Sequence, residues 1–444
     1  MIPPFPTFII HTLGCKVNQY ESTAVAQSLL AAGWKPFTPD ALQLDLCLLN
    51  TCAVTGESEA KSRKTVRQLI KRYAPRRVVV FGCSATNAPE SFREINGVTE
   101  VVTAAETGGN RVSAVLQTLG LPLPLAPLPP ALAGTSRHRV YLKVQDGCRQ
   151  YCSYCIIPHL RKELSSVPIH EVVAQSDALL CRGYREIVLT GIHLGYYGRN
   201  PRPCGQAVWS PNDHPDAAKI SLAVLMERLA QLPHDTFRLR LSSLEAHEAT
   251  DDLLAVMAQH SEKICPHLHL SMQSGSPTVL RRMNRPGTLQ QYVERCEKAK
   301  KFLDSPALTT DVIVGFPGET EREFLETCET CRQIGFSKIH IFPFSPREGT
   351  PAATMPHPVP AEEKHRRSLY LAEIEKELHN AFVEKRKGHP TQILAETYRD
   401  GQLTGTSERY LKETFPGTPQ QIGTFVLRES APITPRISAD SPQK

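Results

Sequence analysis

The chain has 444 residues, 41% of them hydrophobic, with 51 Lys and Arg against 45 Asp and Glu and thirteen cysteines. That length accommodates two to four domains with sizeable cores, and its apolar content and near-balanced charge exclude disorder across the chain as a whole. No apolar run approaches bilayer-crossing length and Met1 to Leu13 lacks a basic leader or small-residue cleavage site, so a cytoplasmic protein without a membrane partner is expected, its many thiols acting as ligands and core residues rather than disulfides.

The first region, residues 5–119, alternates apolar runs with helical patterns. Strands are expected at Thr7 to Leu13, Leu44 to Asn50, Arg77 to Phe81 and Val98 to Val102, with helices such as Ser22 to Ala32 and Glu57 to Tyr73 between them. This rhythm predicts an open, largely parallel α/β sheet. The formal net charge is +6, and the segment from Glu57 to Arg77 holds eight basic residues against two acidic ones, which equals the whole excess. On a helix, Lys61, Lys64, Arg67 and Lys71 share a face opposite Val66, Leu69, Ile70 and Tyr73. A solvated charged face is the ordinary reading of such a pattern, but its lopsidedness favours contact with an RNA backbone.

Leu121 to Gly134 carries five prolines, and residues 120–136 read as a semi-rigid linker. Over residues 137–372 the βα rhythm repeats six times, with strands centred on Tyr141 to Val144, Ile187 to Leu189, Arg238 to Leu241, His267 to Leu270, Asp311 to Val314 and Lys338 to Phe342. Helices fill the gaps, among them Leu222 to Leu232, Asp251 to His260, Val279 to Phe302 and Glu321 to Ile334. Barrel-like and doubly wound parallel folds both fit the spacing. Gly195 to Lys219 reads as an inserted loop. A helix from Ala361 to about Lys387 follows, then, over residues 380–430, a small all-β module with segments Gln392 to Thr397, Gly405 to Lys412 and Gly423 to Arg428 and a turn at Pro416 and Pro419. Residues 431–444 lack a hydrophobic pattern and are expected to be disordered.

Cys148, Cys152 and Cys155 stand in C-x3-C-x2-C spacing directly after the first strand of the second region. Three thiolates in one short loop can hold three irons of a 4Fe-4S cluster and leave the fourth open to a substrate or cofactor. Structural zinc usually completes four ligands with a second Cys or His pair, and none follows close by. Cys15, Cys52 and Cys83 each follow a strand of the first region, where the ligands of an open α/β sheet collect. Spacing alone leaves three unrelated loop cysteines as an equal reading; their common strand-end placement favours a second three-cysteine site. Cys47 lies within its strand and reads as a core thiol.

Taken together, HTLGCKVNQYES, NTCAVT, GCRQYCSYCIIP, TGIHLGYYG, LSSLEAHE, HLHLSMQSGS, VLRRMNRP, DVIVGFPGETEREF and FPFSPREGTPAA resemble, in order from about Phe8 to Thr354, the radical S-adenosylmethionine methylthiotransferases. The resemblance is strongest to the MtaB-type branch that acts on threonylcarbamoyladenosine beside the tRNA anticodon. It implies an α/β protein with an N-terminal domain holding an auxiliary 4Fe-4S cluster, a partial (β/α)6 radical barrel holding another, and a C-terminal TRAM-like β-barrel for RNA. All six cysteines map onto the family's cluster ligands. S-adenosylmethionine would chelate the open iron near Cys148, Cys152 and Cys155 and be cleaved reductively to a deoxyadenosyl radical, with tRNA and an electron donor as partners. The second cluster would hold or deliver the sulfur.

Strand-end residues are candidate cofactor contacts: Thr190 and Gly191, Ser242, Ser243 and Glu245, Gln273 and Ser274, then Gly315 and Pro317, although Gly315, Pro317 and Gly318 also suit a plain tight turn. After CIIP the run is His159-Leu160-Arg161-Lys162-Glu163-Leu164, whereas the family usually shows an aromatic, Ala-Arg-Gly and further arginines; Arg161 keeps one of them. Methylthiolation of isopentenyladenosine or of a ribosomal-protein aspartate are the alternatives within the family, and a non-catalytic iron-sulfur RNA-binding protein is the alternative outside it.

Overall fold

The computed structural model describes residues 6–38, 43–103, 110–122, 138–199 and 220–429. The expected tail and most of the expected linker and inserted loop lie outside them.

The N-terminal sheet is wholly parallel. β1 (Thr7–Thr12), β2 (Lys35–Pro36), β3 (Leu46–Thr51), β4 (Arg77–Gly82) and β5 (Glu100–Val101) lie in the order β2-β1-β3-β4-β5. Alternation along the strands feeds two cores. Phe8, Leu46, Leu48, Val79 and Phe81 pack toward α1 (Lys16–Ala31) and α5 (Arg111–Thr118), and Cys47, Leu49, Val78 and Val80 pack toward α2 (Gly56–Tyr73). Cys47 is thus a core thiol, and burial pushes its pKa up to about 12. Thr55 caps α2 by accepting from the Ser58 N–H, Glu57 and Glu59 sit in its first turn, and Lys71 and Arg72 in its last, each matched to the helix dipole. Two short helices, α3 (Cys83–Asn87) and α4 (Glu90–Arg93), follow β4. The expected helix start at Ser22 is displaced: α1 begins at Lys16, directly after Cys15.

The second region is a partial barrel of six parallel strand positions, seen as two hydrogen-bonded arcs. One arc holds β6 (Arg139–Asp146), the antiparallel two-residue β7 (Ser165–Ser166), β8 (Glu186–Gly191) and β9 (Arg238–Leu241); the other holds β10 (Ser243–Leu244), β11 (His267–Leu270), β12 (Ala307–Val314) and β13 (Lys338–Pro343). The short α6 (Ile157–Leu160) precedes β7, and α7 (Ile169–Cys181), α8 (Leu222–Ala230) and α9 (Asp251–Gln259) cover the first arc. Covering the second are α10 (Pro277–Arg282), α11 (Leu289–Phe302), α12 (Glu321–Ile334) and α13 (Ala361–Lys385). The single helix expected from Val279 to Phe302 is broken into α10 and α11. Asn284 takes a left-handed φ of 53°, and Pro286 has no N–H to continue a helix.

The C-terminal module is a four-stranded antiparallel sheet, order β16-β15-β14-β17, made of β14 (Pro390–Arg399), β15 (Gln402–Ser407), β16 (Lys412–Pro416) and β17 (Phe425–Glu429). The continuous strand expected from Gly405 to Lys412 is instead the end of β15, a turn and the start of β16, and Pro416 ends β16 rather than sitting in a turn. This sheet is fastened to the start of the barrel strands by buried charge. The Glu186 carboxylate receives Arg238 at 2.6 Å and Arg240 at 2.8 Å, with Arg139 at 3.0 Å. Arg238 also donates to the carbonyls of Gln392 and Thr406, and Arg240 to those of Ser407 and Glu408.

Burial alone would favour the neutral acid, but Arg238, Arg240 and Arg139 hold Glu186 well below the usual carboxylate range. Its stabilisation is therefore complete above about pH 4.3, the ordinary glutamate value, and is lost as pH falls toward the lower folded value. Glu186→Gln is expected to remove this acid-side dependence of the urea unfolding midpoint, and Glu186→Ala, which strands three guanidinium groups, to cost about 3–5 kcal/mol.

Candidate functional site: two facing thiol triads

Cys15 is the residue before α1, Cys52 follows β3 and Cys83 opens α3 after β4. The parallel sheet delivers all three strand ends to one edge. Gly14 permits the approach: it takes φ +104°, and a Cβ there would stand 2.9 Å from Asn18 Nδ2 and 3.2 Å from Cys52 Sγ. Asn18 laces the loops together, its Nδ2 donating to the carbonyls of Leu13 and Thr51, while Asn50 Nδ2 donates to the Asn18 carbonyl. Cys15 is solvent-accessible, yet desolvation by its surroundings, then Cys83, raise its pKa to about 11. Burial and Cys83 raise Cys52 as well.

Cys148, Cys152 and Cys155 occupy the loop between β6 and α6. Gly147 takes φ +83° where a Cβ would stand 2.1 Å from the Glu163 carbonyl oxygen. Burial, then Cys152 and Cys148, push Cys155 up to about 12 even though the Ile157 N–H opposes this. Two of the sulfurs have polar side-chain partners: His193 Nδ1 lies 3.5 Å from Cys148 Sγ, and Arg285 Nη1 lies 3.7 Å from Cys152 Sγ. Each partner is oriented in turn, His193 Nε2 by Glu248 at 2.7 Å and Arg285 Nη1 by Glu245 at 2.8 Å.

The two loops touch. Cys83 packs with Ala53 and with Ile156, the residue after Cys155, and Ile157 and Leu160 lie against this cluster. A buried ion-pair network joins them from behind. Arg161 Nη1 donates to Glu21 at 2.8 Å and to Asp146 at 2.9 Å, and its backbone carbonyl accepts from the Cys148 N–H. Burial would raise both carboxyls, but Arg161, Lys143 and Arg111 hold Glu21 and Asp146 below the usual carboxylate range. Arg161 is therefore committed to joining the loops.

The donor chemistry fits iron-sulfur clusters. Among the described residues every cysteine is free, although Cys83 lies within electrostatic reach of Cys15 and of Cys52, and Cys155 within reach of Cys148 and of Cys152. Cys15, Cys52, Cys152 and Cys155 resist ionisation alone and would be relieved by a metal, with Arg285 and the start of α1 as nearby positive groups.

The remaining candidates are dispersed around the barrel mouth. Thr190 and Gly191 end β8, and the buried Ser242 hydroxyl lacks a hydrogen-bond partner among the described residues. Glu245 is engaged by Arg285, the Gln273 N–H donates to the Asp311 carbonyl at φ +71°, and the Gly315 N–H donates to Glu319. Lys61, Lys64, Arg67 and Lys71 are all exposed on α2, and among the described residues none forms an ion pair. His193, Glu248 and Arg285 were not singled out from the sequence. They lie inside the motifs TGIHLGYYG, LSSLEAHE and VLRRMNRP, which were the available signal.

Residues 142–331 match the Radical SAM superfamily and residues 7–104 match the Uncharacterized protein family UPF0004. A curated relative from Bacillus subtilis (strain 168), threonylcarbamoyladenosine tRNA methylthiotransferase MtaB, is 36% identical over 95% of this chain and 92% of its own length. Its namesake from Chlamydia pneumoniae is 35% identical over 92% of this chain and 91% of its own. Among solved structures, the radical S-adenosylmethionine methyltransferase TsrM from Kitasatospora setae, with cobalamin and a [4Fe-4S] cluster bound, superposes with a TM-score of 0.52 at 13% identity, covering 79% of this chain and 77% of its own. That likeness bears on the fold.

Breaking the Arg161 network tests the joint between the loops. Arg161→Leu strands Glu21 and Asp146 and is expected to cost about 3–5 kcal/mol in denaturant unfolding, and Arg161→Lys to recover only part of that because a point charge lacks the planar fork.

Proposed function

Because the chain belongs to the family of MtaB-type threonylcarbamoyladenosine tRNA methylthiotransferases, we propose that it replaces the C2 hydrogen of N6-threonylcarbamoyladenosine, beside the tRNA anticodon, with a methylthio group. The observation that carries this reading is that the three-thiol loop at the mouth of the barrel packs, through Ile156, against Cys83, one of three cysteines gathered from separate strand ends of the N-terminal sheet. Cys148, Cys152 and Cys155 would hold one 4Fe-4S cluster and Cys15, Cys52 and Cys83 the other. Bound there with S-adenosylmethionine, these groups supply the radical and sulfur chemistry needed at a carbon whose hydrogen is neither acidic nor a leaving group.

The chain's own residues supply position and exclusion of water. His193 and Arg285 orient and partly neutralise the barrel sulfurs, and Arg161 holds the two loops in register. Ala53, Ile156, Ile157 and Leu160 keep the joint between the loops apolar. Thr190, Gly191, Ser242, Gln273 and Gly315 line the mouth where S-adenosylmethionine would lie. Glu245 acts there through Arg285.

α2 starts four residues after Cys52, and its basic face, beginning at Lys61, is suited to RNA phosphates near the auxiliary triad. The C-terminal sheet, exposing Tyr398 and Leu427, is a second RNA surface; of the basic run at its entry, Arg386 is spent within the fold on the Pro390 carbonyl. A tRNA-modifying enzyme of this kind works in the cytoplasm, with an electron donor as partner. Among the described residues no helix is long and apolar enough to cross a membrane.

Anaerobic reconstitution followed by S-adenosylmethionine and a reductant should release deoxyadenosine, and tRNA from a strain lacking the protein should lose 2-methylthio-N6-threonylcarbamoyladenosine by mass spectrometry. Persistence of that nucleoside, with no second such enzyme present, would refute the substrate assignment. Loss of an isopentenyladenosine derivative in its place would move the enzyme to the other tRNA branch.

Replacing Lys64, Arg67 and Lys71 together with Gln should weaken tRNA binding and lower the slope of log affinity against log salt by about 0.9 for each phosphate that is no longer neutralised. An unchanged slope would remove α2 from the RNA interface.

A further inference from the structure

The inward side chains of the second arc make a polar wall inside the barrel. Ile339 and Ile341 pack into the apolar core around the strands, so His340 and Phe342 point the other way, and both are exposed. His340 lies across the ladder from Asp311. His269 Nε2 stands 3.2 Å from Asp311 Oδ2, and one potential ligand atom from each of His269, Asp311 and His340 lies within 4.8 Å of the others. The Thr309 hydroxyl extends the chain, 2.9 Å from His269 Nδ1 and 3.2 Å from His267 Nε2.

The facing group comes from the N-terminal domain. α1 packs against β6 and β8 and carries Lys16 to within electrostatic reach of Arg139, Arg240, His267, Asp311 and His340. These cations work against a metal ion at His269, Asp311 and His340. They favour an anion. Arg240 is already committed to Glu186 and to the Ser407 and Glu408 carbonyls, and Arg139 to Glu186 and Glu396. Lys16, by contrast, forms no hydrogen bond or close ion pair among the described residues. A part-buried ammonium group beside two arginines has an unmet requirement for negative charge.

The substrate class of the reading above can meet it. In N6-threonylcarbamoyladenosine the arm on N6 carries ureido N–H groups, a hydroxyl and a terminal carboxylate. Its point of attachment, C6, is separated from C2 by N1 alone. When C2 is presented to the triad that includes Cys15, the arm emerges beside the residue that follows Cys15 in the chain. We propose that Lys16 receives the threonyl carboxylate inside the barrel, while Asp311, held by His269 and flanked by His340, accepts hydrogen bonds from the arm's hydroxyl and N–H groups. Lys16 is then a specificity-determining residue: an uncharged alkyl arm would leave its ammonium and the Asp311 carboxylate unmatched. This inference rests on the proposed function.

The test uses an anticodon stem-loop RNA bearing threonylcarbamoyladenosine and the same RNA with the threonyl carboxylate converted to its primary amide. Affinity and methylthiolation of both are measured with the full chain, with Lys16→Met and with Lys16→Arg, each assayed for iron content. The unaltered chain should prefer the acid over the amide by about 30-fold or more, the scale of removing one partner of a buried charge pair. Lys16→Met should lose a similar factor on the acid and little more on the amide, and Lys16→Arg should keep a preference for the acid. Equal handling of acid and amide by the unaltered chain overturns the proposal, as does an undiminished preference in Lys16→Met. If Lys16→Met fails to retain iron, the comparison of acid and amide in the unaltered chain decides alone. Absence of methylthiolation of the acid RNA by the unaltered chain would instead count against the proposed function.

Discussion

The guanidinium of Arg161 is the joint on which the arrangement depends. It reaches from the loop that follows Cys155 to Glu21 on α1 and to Asp146 at the end of β6, while its own carbonyl binds the N–H of Cys148. Both thiol triads are thereby referenced to one buried cation. Isolated charges in such a place would be costly, and the network is tolerable because Lys143 and Arg111 share the two carboxylates with Arg161. A buried, geometrically well-matched ion pair contributes less to stability than to register. Register is what two cluster sites serving one substrate atom would need.

The barrel treats its two ends differently. At the start of its strands Glu186 gathers three arginines, and two of them, Arg238 and Arg240, grip backbone carbonyls of the C-terminal module, so that end is sealed by charge and hydrogen bonds. At the other end the sulfur-bearing loop is dressed by His193 and Arg285, whose own orienters, Glu248 and Glu245, come from the stretch around β10. The break between α10 and α11 belongs to this end as well. It frees Arg285 from helical geometry and lets it reach both Glu245 and Cys152. Between the ends lies a polar interior where His269, Asp311 and Thr309 are linked, with Lys16 reaching toward it from the neighbouring domain.

Local patterns in the sequence determined a good deal. Six βα units, the parallel N-terminal sheet and the all-β character of the C-terminal module follow from hydrophobic periodicity and turn residues, because burial on one face repeats every two or every three to four residues. Cys148, Cys152 and Cys155 were legible because all three lie between Gly147 and Cys155, and Cys15, Cys52 and Cys83 because each follows a strand. The start of α1 and the break at Pro286 were misplaced for a related reason. The first turns of α1, Lys16 to Glu21, are mostly polar and lack an apolar stripe, helical periodicity runs smoothly through Asn284, and caps and turns are settled by backbone contacts made elsewhere.

Tertiary structure alone decided what Arg161, His193, Arg285 and Lys16 do. The Arg161 to Glu21 pair spans 140 residues and that of Arg285 with Cys152 spans 133. A charged residue carries no periodic mark of its partner, since attraction between charges depends on distance in space and on the burial around it. Nothing local in the sequence marks Glu21 as the partner of Arg161 or the barrel strands as neighbours of Lys16; the fold places Glu21 beside Arg161 and α1 against β6 and β8.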